Sequence, residues 1–144
     1  MEFKSIFLDT NILVDLVAKR NFFVDNAVTI FNYCKNNNIE MFTTSHSIAT
    51  LHYIAKKTVD EKELRSIIED LLDTISIIGV DEYILRKSLK SNHKDFEDAI
   101  QIVSAQSIND MYCIVTRDLK DYKNAEINVF TPDEFIVKTS RDLY

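Results

Sequence analysis

The chain contains very little glycine, proline and cysteine. Its 144 residues include one glycine (Gly79), one proline (Pro132), two cysteines and no tryptophan. A chain with a single glycine forms neither of the common glycine-rich phosphate-binding loops, so any phosphate chemistry must depend on side chains or a metal ion. Cys34 and Cys113 lie in apolar segments without CxxC spacing, and we expect both to be reduced thiols that pack in the core.

Long hydrophobic runs are also missing. No apolar stretch approaches the roughly 20 residues needed to cross a bilayer, and the first residues lack the pattern of a secretion signal. We therefore expect no membrane association and a cytoplasmic location. The composition, 46% hydrophobic and 28% charged, is that of an ordinary globular protein, and no linker-like segment interrupts it. We predict a single domain over residues 1–144.

The net charge of −6 by itself argues against binding to nucleic acid, which is bound through Lys and Arg. A cluster of carboxylates that holds divalent cations reverses the sign locally, however. Basic pairs at 19–20, 56–57 and 86–87 would then form a rim, although such pairs usually belong to solvated helix faces. Charge alone leaves the partner open.

Strand patterns alternate with helix patterns along the chain. We predict strands at Phe3 with 6–8, at 40–43, 75–80, 111–116 and 127–130. We predict helices at 11–18, 23–36, 46–57, 60–73, 81–89, 95–108 and from 132 onward. Thr10, Asp60 and Asp95 are the expected N-caps of their helices. This alternation is typical of an α/β fold with a largely parallel sheet.

Acidic residues stand where three buried elements begin or end: Asp9 after the first strand, Asp95 to Asp98 at a helix start, and Asp118 after the fourth strand. Ligands of open parallel sheets bind outside the carboxyl ends of the strands, where a buried carboxylate needs a cation or hydrogen-bond donors. Oxygen-only ligands favour Mg²⁺ or Mn²⁺, which can activate water and stabilise the leaving oxygen of a phosphodiester. The alternative is that these acids serve only the helix N-terminus and a turn.

Three segments together resemble the signatures of the PIN-domain family. They are Leu8–Asn11, Asp95–Ala99 and Thr116–Tyr122, in the family's order and at plausible spacing. The resemblance extends over essentially the whole chain. It implies a three-layer α/β/α sandwich around a mostly parallel sheet of about five strands. Many PIN domains are metal-dependent ribonucleases, and they include the VapC toxins of bacterial toxin–antitoxin pairs.

The resemblance also implies roles for individual residues. Asp9, Asp98 and Asp118 would be the catalytic acids that bind Mg²⁺ or Mn²⁺, and Asn11 and Thr116 would hydrogen-bond and orient them. The implied substrate is RNA. A VapC-like protein is further expected to form a homodimer and to bind a small antitoxin protein.

One position departs from the family pattern. The family usually places a Glu on the helix after the second strand, where this chain has Thr50, and no acid occurs from Thr43 to Val59. A neutral hydroxyl is a poorer Mg²⁺ ligand than a carboxylate. Glu97 is expected to point away from Asp98, its neighbour in the helix. Asp121 is a reserve candidate for the last acid.

Two other functions remain open at this stage. The absence of a Glu at Thr50 favours a catalytically weak or inactive PIN-like module that binds RNA or a protein. A phosphotransferase with Asp9 as nucleophile would need an acid two residues later, and this chain has Asn11 there. The leading interpretation is a metal-dependent endoribonuclease.

Overall fold

A computed structural model describes residues 3–140, which form five strands, seven α-helices and one 3₁₀ helix. The strands are β1 (Ser5–Leu8), β2 (Glu40–Thr44), β3 (Ser76–Ile78), β4 (Cys113–Val115) and β5 (Asn128–Phe130). The helices are α1 (Thr10–Val17), α2 (Val24–Asn36), α3 (Ser45–Ala55), α4 (Glu61–Thr74), α5 (Glu82–Leu89), α6 (Phe96–Gln106) and α7 (Pro132–Ser140). The 3₁₀ helix spans Leu119–Tyr122. Every predicted element is present, with ends that differ by a few residues.

The five strands form one sheet in the order β3-β2-β1-β4-β5, and all four neighbouring pairs are parallel. This confirms the predicted α/β fold. The chain winds outward from β1 through β2 to β3, and then returns to the other side of β1 for β4 and β5. The strand order therefore reverses between β1 and β4, and the carboxyl ends of these two strands flank the crevice where such sheets bind ligands.

Both faces of the sheet are covered, as expected for a three-layer sandwich. Ile6 and Leu8 of β1 face a core formed with α1 to α4 and α7. Phe7, between them, faces a second core formed with α5, α6 and the 3₁₀ helix. Because alternate side chains of a strand point to opposite faces, one short apolar run fills both cores. No helix within residues 3–140 is long and apolar enough to cross a membrane.

The start of α1 corrects one prediction. Asp9, and not Thr10, is the N-cap: its Oδ1 accepts a hydrogen bond from the backbone N–H of Thr10 at 2.8 Å. The hydroxyl of Thr10 is instead engaged with Ser47 Oγ, also at 2.8 Å. The predicted caps Asp60 and Asp95 are confirmed, since each accepts the backbone N–H three residues later.

The scarcity of glycine affects the turns. Among residues 3–140, four non-glycine residues have positive φ, with values of 51° to 74°: Lys19, Phe22, Asn38 and Asp110. The left-handed region is unfavourable for side chains other than Asn and Asp, so its use at Lys19 and Phe22 costs free energy that glycine would not cost. Both predicted packing thiols are free and buried, and burial raises the pKa of Cys34 to about 12.

Candidate active site

The three acids singled out by sequence line one pocket. Asp9 follows β1, Asp98 lies in the first turn of α6, and Asp118 follows β4, so the pocket opens at the crevice between β1 and β4. Its volume is about 230 Å³. That space is several times the volume of a water molecule, about 30 Å³ in the liquid.

Asp9 is buried, with 7% of its surface exposed, and every hydrogen bond it accepts within residues 3–140 comes from a neutral donor. Its Oδ1 accepts from Thr10 N at 2.8 Å and from Gln101 Nε2 at 3.3 Å. Its Oδ2 accepts from Thr116 Oγ1 at 2.7 Å and from Asn11 Nδ2 at 3.3 Å. These donors fix the carboxylate but do not neutralise it, so it remains attractive to a cation.

Asn11 and Thr116 connect the end of β1 to the loop after β4. Asn11 Nδ2 donates to Thr116 Oγ1 at 3.3 Å, and Asn11 Oδ1 accepts from the backbone N–H of Arg117 at 3.4 Å. Thr116 Oγ1 also accepts from the backbone N–H of Asp118 at 3.1 Å. The loop that carries Asp118 is therefore held to the residues that hold Asp9.

Asp98 is half-buried among other acids. Its pKa is raised to about 7, mainly by burial and then by the like charges of Asp95, Asp9, Asp121 and Asp118, in that order of effect. A carboxyl group in this position is stabilised by a proton or by a cation.

Asp118 and Asp121 are both exposed, unlike Asp9. A hydrogen bond with Asp118 is the main cause that raises the pKa of Asp121. Asp118 lines the pocket with Asp9 and Asp98, whereas Asp121 lines a neighbouring depression together with Lys94 and Lys120. The geometry thus groups Asp118 with the other two acids and leaves Asp121 beside them.

Thr50 lines the same pocket, on the α3 side. His46, one turn earlier, also lines it, and its Nε2 lies 3.7 Å from Oε1 of Glu97. Glu97, in the first turn of α6, borders the pocket together with its neighbour Asp98. On its α3 side the pocket is lined by His46, Thr50 and the apolar Ile54, and none of these is a carboxylate.

Gln101 is a site residue that the sequence pattern did not reveal. It is buried within α6, where its Nε2 donates to Ser47 Oγ at 2.6 Å and its Oε1 accepts from Thr44 Oγ1 at 2.7 Å. Through Asp9 Oδ1, it connects α6 to the acid at the end of β1. The available signal was its position three residues after Asp98, which places both side chains on one helix face.

A second buried carboxylate, Asp15 of α1, was also missed. Only 1% of its side chain is exposed. Arg117 Nε donates to Asp15 Oδ2 at 2.7 Å, and Arg117 Nη2 donates to Oδ1 at 3.1 Å. The guanidinium of Arg117 also stacks on Phe23, with Cζ 3.9 Å from the ring centroid. Arg20 Nη1 lies 3.9 Å from Asp15 Oδ1.

The donor set of the pocket suits a hard divalent cation. Its acids offer only oxygen, and the raised pKa of Asp98 reflects burial and negative charge that a cation would offset. Within residues 3–140, no three His, Cys, Asp or Glu side chains are close enough to form a preassembled metal site. Mg²⁺ and Mn²⁺ fit this arrangement, because Mg²⁺ in particular keeps several water ligands and needs few from the protein.

Comparison with known proteins gives a consistent result. A family model described as "PIN domain" matches residues 5–120. The chain is 27% identical over 140 residues to Ribonuclease VapC1 of Aquifex aeolicus (strain VF5), covering 94% of this chain and 95% of that protein. A chain of a toxin–antitoxin complex from Klebsiella pneumoniae is 25% identical with a TM-score of 0.65, covering 88% of this chain and 97% of that one.

A further solved structure, at lower sequence identity, is similar in fold. A chain of DNA-bound VapBC from Salmonella typhimurium has a TM-score of 0.64 at 16% identity, and the match covers 91% of this chain and 99% of that one. The family match spans most of the chain, from β1 to the loop that carries Asp118, and so includes Asp9, Asp98 and Asp118. This protein belongs to the PIN-domain family.

Proposed function

We propose that this protein is a ribonuclease that depends on Mg²⁺ or Mn²⁺, with Asp9, Asp98 and Asp118 as the acids that hold the cation. The observation that carries the proposal is Asp9, a buried carboxylate with only neutral donors, which lines one pocket together with Asp98 and Asp118. The similarity to a protein named ribonuclease supports RNA as the substrate.

Neutral side chains around the pocket would position the acids for hydrolysis. Thr116, Asn11 and Gln101 hold Asp9 in one orientation, and Thr116 also fixes the backbone of Asp118. When bound, a divalent cation supplies Lewis acidity that activates water and offsets charge on the phosphate oxygens. In the reaction, the water oxygen bonds to phosphorus, the bond from phosphorus to a ribose oxygen breaks, and a proton passes to the departing oxygen.

We further propose that the protein is the toxin of a toxin–antitoxin pair, with a small antitoxin as its partner. The likeness to a chain of a toxin–antitoxin complex supports this role. A homodimer is also proposed, and Leu85 and Leu89, one turn apart and exposed on α5, offer an apolar surface for it. Growth arrest on expression of the wild-type protein, but not of Asp9→Asn, is the expected behaviour of a toxic nuclease.

A second candidate function is a PIN-like module that binds RNA or a protein without cleaving it. Thr50 favours this alternative, because it leaves the α3 side of the pocket without a carboxylate. Such a module would bind divalent cations weakly and leave RNA intact.

Cleavage of a mixed RNA pool separates the two functions. The purified protein is incubated with the pool in Mg²⁺, in Mn²⁺ or in EDTA, beside Asp9→Asn. The nuclease proposal expects cleavage with either cation, none in EDTA, and none by the variant.

A matched variant makes the result specific. Asp73→Asn removes the same charge from an exposed position on α4 and should cleave as the wild type does. A folded wild-type protein that cleaves nothing in either cation would contradict the proposal and favour the binding module.

A further inference from the structure

The acid pocket contains one strong cation of its own. Within residues 3–140, Arg20 is the single Lys or Arg side chain that lines the pocket with Asp9, Asp98 and Asp118. An arginine beside several carboxylates would ordinarily pair with one of them. The ion pair that Arg20 forms is instead with Asp15, which does not line the pocket.

Asp15 cannot neutralise both of its arginines. Arg117 takes both carboxylate oxygens in a bidentate pair at 2.7 and 3.1 Å. Arg20 approaches Oδ1 only to 3.9 Å, and its guanidinium makes no hydrogen bond to any residue of 3–140. One carboxylate thus faces two guanidinium groups, and the surplus positive charge lies on Arg20, whose side chain is 41% exposed.

The backbone fixes where this charge is presented. The N–H of Arg20 donates to Asp15 O at 3.2 Å, and its C=O accepts from Phe23 N at 3.2 Å and Val24 N at 2.9 Å. Lys19 and Phe22 on either side have φ of 51° and 74°. The backbone hydrogen bonds on both sides of Arg20 therefore fix the point at which its side chain leaves the chain.

We propose that Arg20 binds a backbone phosphate of the RNA next to the cleaved bond, with Asp15 as the residue that positions it. The inference rests on the proposed function for its substrate. Guanidinium matches phosphate oxygens with two parallel N–H donors, and most of the donors of Arg20 are free. Arg20 would bind the phosphate in the pocket, and the acids Asp9, Asp98 and Asp118 would bind the cation.

The test measures RNA binding apart from cleavage. A labelled single-stranded oligoribonucleotide is titrated with Asp98→Asn, which lacks one pocket acid, and with Asp98→Asn carrying Arg20→Gln, at several salt concentrations. We expect Arg20→Gln to weaken binding about tenfold and to reduce the slope of log K against log salt by about 0.7. Arg20→Lys, which keeps the charge but loses the fork, should restore the slope and only part of the affinity.

Arg20→Gln in the wild-type background should raise KM about tenfold and alter kcat less than about threefold. The reason is that Arg20 would bind the phosphate equally in the substrate complex and in the transition state. Arg65→Gln is the matched control, since Arg65 is 76% exposed on α4 and pairs with Glu61 outside the pocket. It should change neither affinity nor slope.

Two results would overturn the inference: RNA affinity and salt slope that Arg20→Gln leaves unchanged, or no RNA binding by either protein. Failure of the nuclease proposal looks different. In that case the wild type cleaves no RNA, while RNA binding still depends on Arg20, and Arg20 is then a phosphate-binding residue of a pocket that does not cleave RNA.

Discussion

Two buried aspartates, Asp9 and Asp15, lie in or beside the same helix and have opposite surroundings. Asp9 is 7% exposed and receives four hydrogen bonds from neutral groups. Asp15 is 1% exposed and faces two arginines. Asp15 therefore has arginine partners, whereas the hydrogen-bond donors to Asp9 in the described part of the chain are all uncharged.

The difference separates a structural charge from a functional one. A buried carboxylate with an arginine partner is satisfied, and removing it leaves the arginine without its counter-ion. A buried carboxylate with only dipoles around it is oriented but still negative, and it attracts a cation from solution. Asp15 therefore holds Arg117 and Arg20 beside the pocket, and Asp9 is the carboxylate that we propose for the chemistry.

The largest expected effect is on activity at Asp9. Asp9→Asn should lower RNA cleavage at least about 10³-fold, equivalent to about 4 kcal/mol of transition-state stabilisation, because the neutral amide is a poor ligand for Mg²⁺ or Mn²⁺. Circular dichroism should show a folded protein. If Asp9→Asn cleaves RNA as fast as the wild type, the proposed catalytic role of Asp9 is wrong.

The next effect is on stability at Asp15. Asp15→Asn should lower the free energy of unfolding by about 2–3 kcal/mol, since Arg117 loses a bidentate partner in a largely buried position. Urea unfolding measures this loss. Glu82→Gln, which breaks an exposed pair with Arg86, should cost less than about 0.5 kcal/mol. Equal losses in the two variants would remove the structural role of Asp15.

A smaller effect of opposite sign is expected at Asp98. Its pKa is raised from the ordinary value of 3.8 to about 7, so ionising it in the folded protein is unfavourable. The wild type should therefore lose stability relative to Asp98→Asn as the pH rises from about 4 to about 7, and regain it below that window. After discounting for partial exposure, we expect the variant to be about 1 kcal/mol more stable at pH 8 in EDTA.

Thermal unfolding across this pH range measures the difference. Mg²⁺ should raise the Tm of the wild type more than that of Asp98→Asn, because the cation takes the place of the proton. A variant that is less stable than the wild type at pH 8 in EDTA would contradict the expectation.

The smallest effect concerns Thr50. Thr50→Glu adds a carboxylate to the pocket and should tighten Mn²⁺ binding by roughly three- to tenfold, since affinity follows the number of charged oxygen ligands. Calorimetric titration measures it. Ala49→Glu adds the same charge at an exposed neighbouring position of α3 and should leave the affinity unchanged.

Much of the fold followed from patterns within short segments. The apolar run at Ile6 to Leu8, the helix periods and the caps at Asp60 and Asp95 depend on residues close in sequence, and the structure contains all of them. The cap of α1 was misassigned because Asp9 and Thr10 are both good caps. Only the contact of Thr10 with Ser47, 37 residues away, separates them.

The sequence likewise indicated some residues of the candidate site and missed others. Asp9, Asp98 and Asp118 stood out because each is an acid at the end of a buried element, and all three line one pocket. Gln101 and Asp15 did not stand out, because each is a polar residue inside an apolar helix, where sequence does not identify the partner. Their partners, Ser47 and Arg117, are 54 and 102 residues away.

The sequence by itself determined the alternation of strands and helices, the absence of a glycine-rich phosphate loop and the position of acids at the ends of three buried elements, because each depends on neighbouring residues. Only the tertiary structure decided that, within residues 3–140, Asp15 pairs with arginines and Asp9 does not. It also decided that, of the predicted basic pairs, Arg20 borders the acids. Charges acquire their role from the groups that surround them in space, and those groups come from distant parts of the chain.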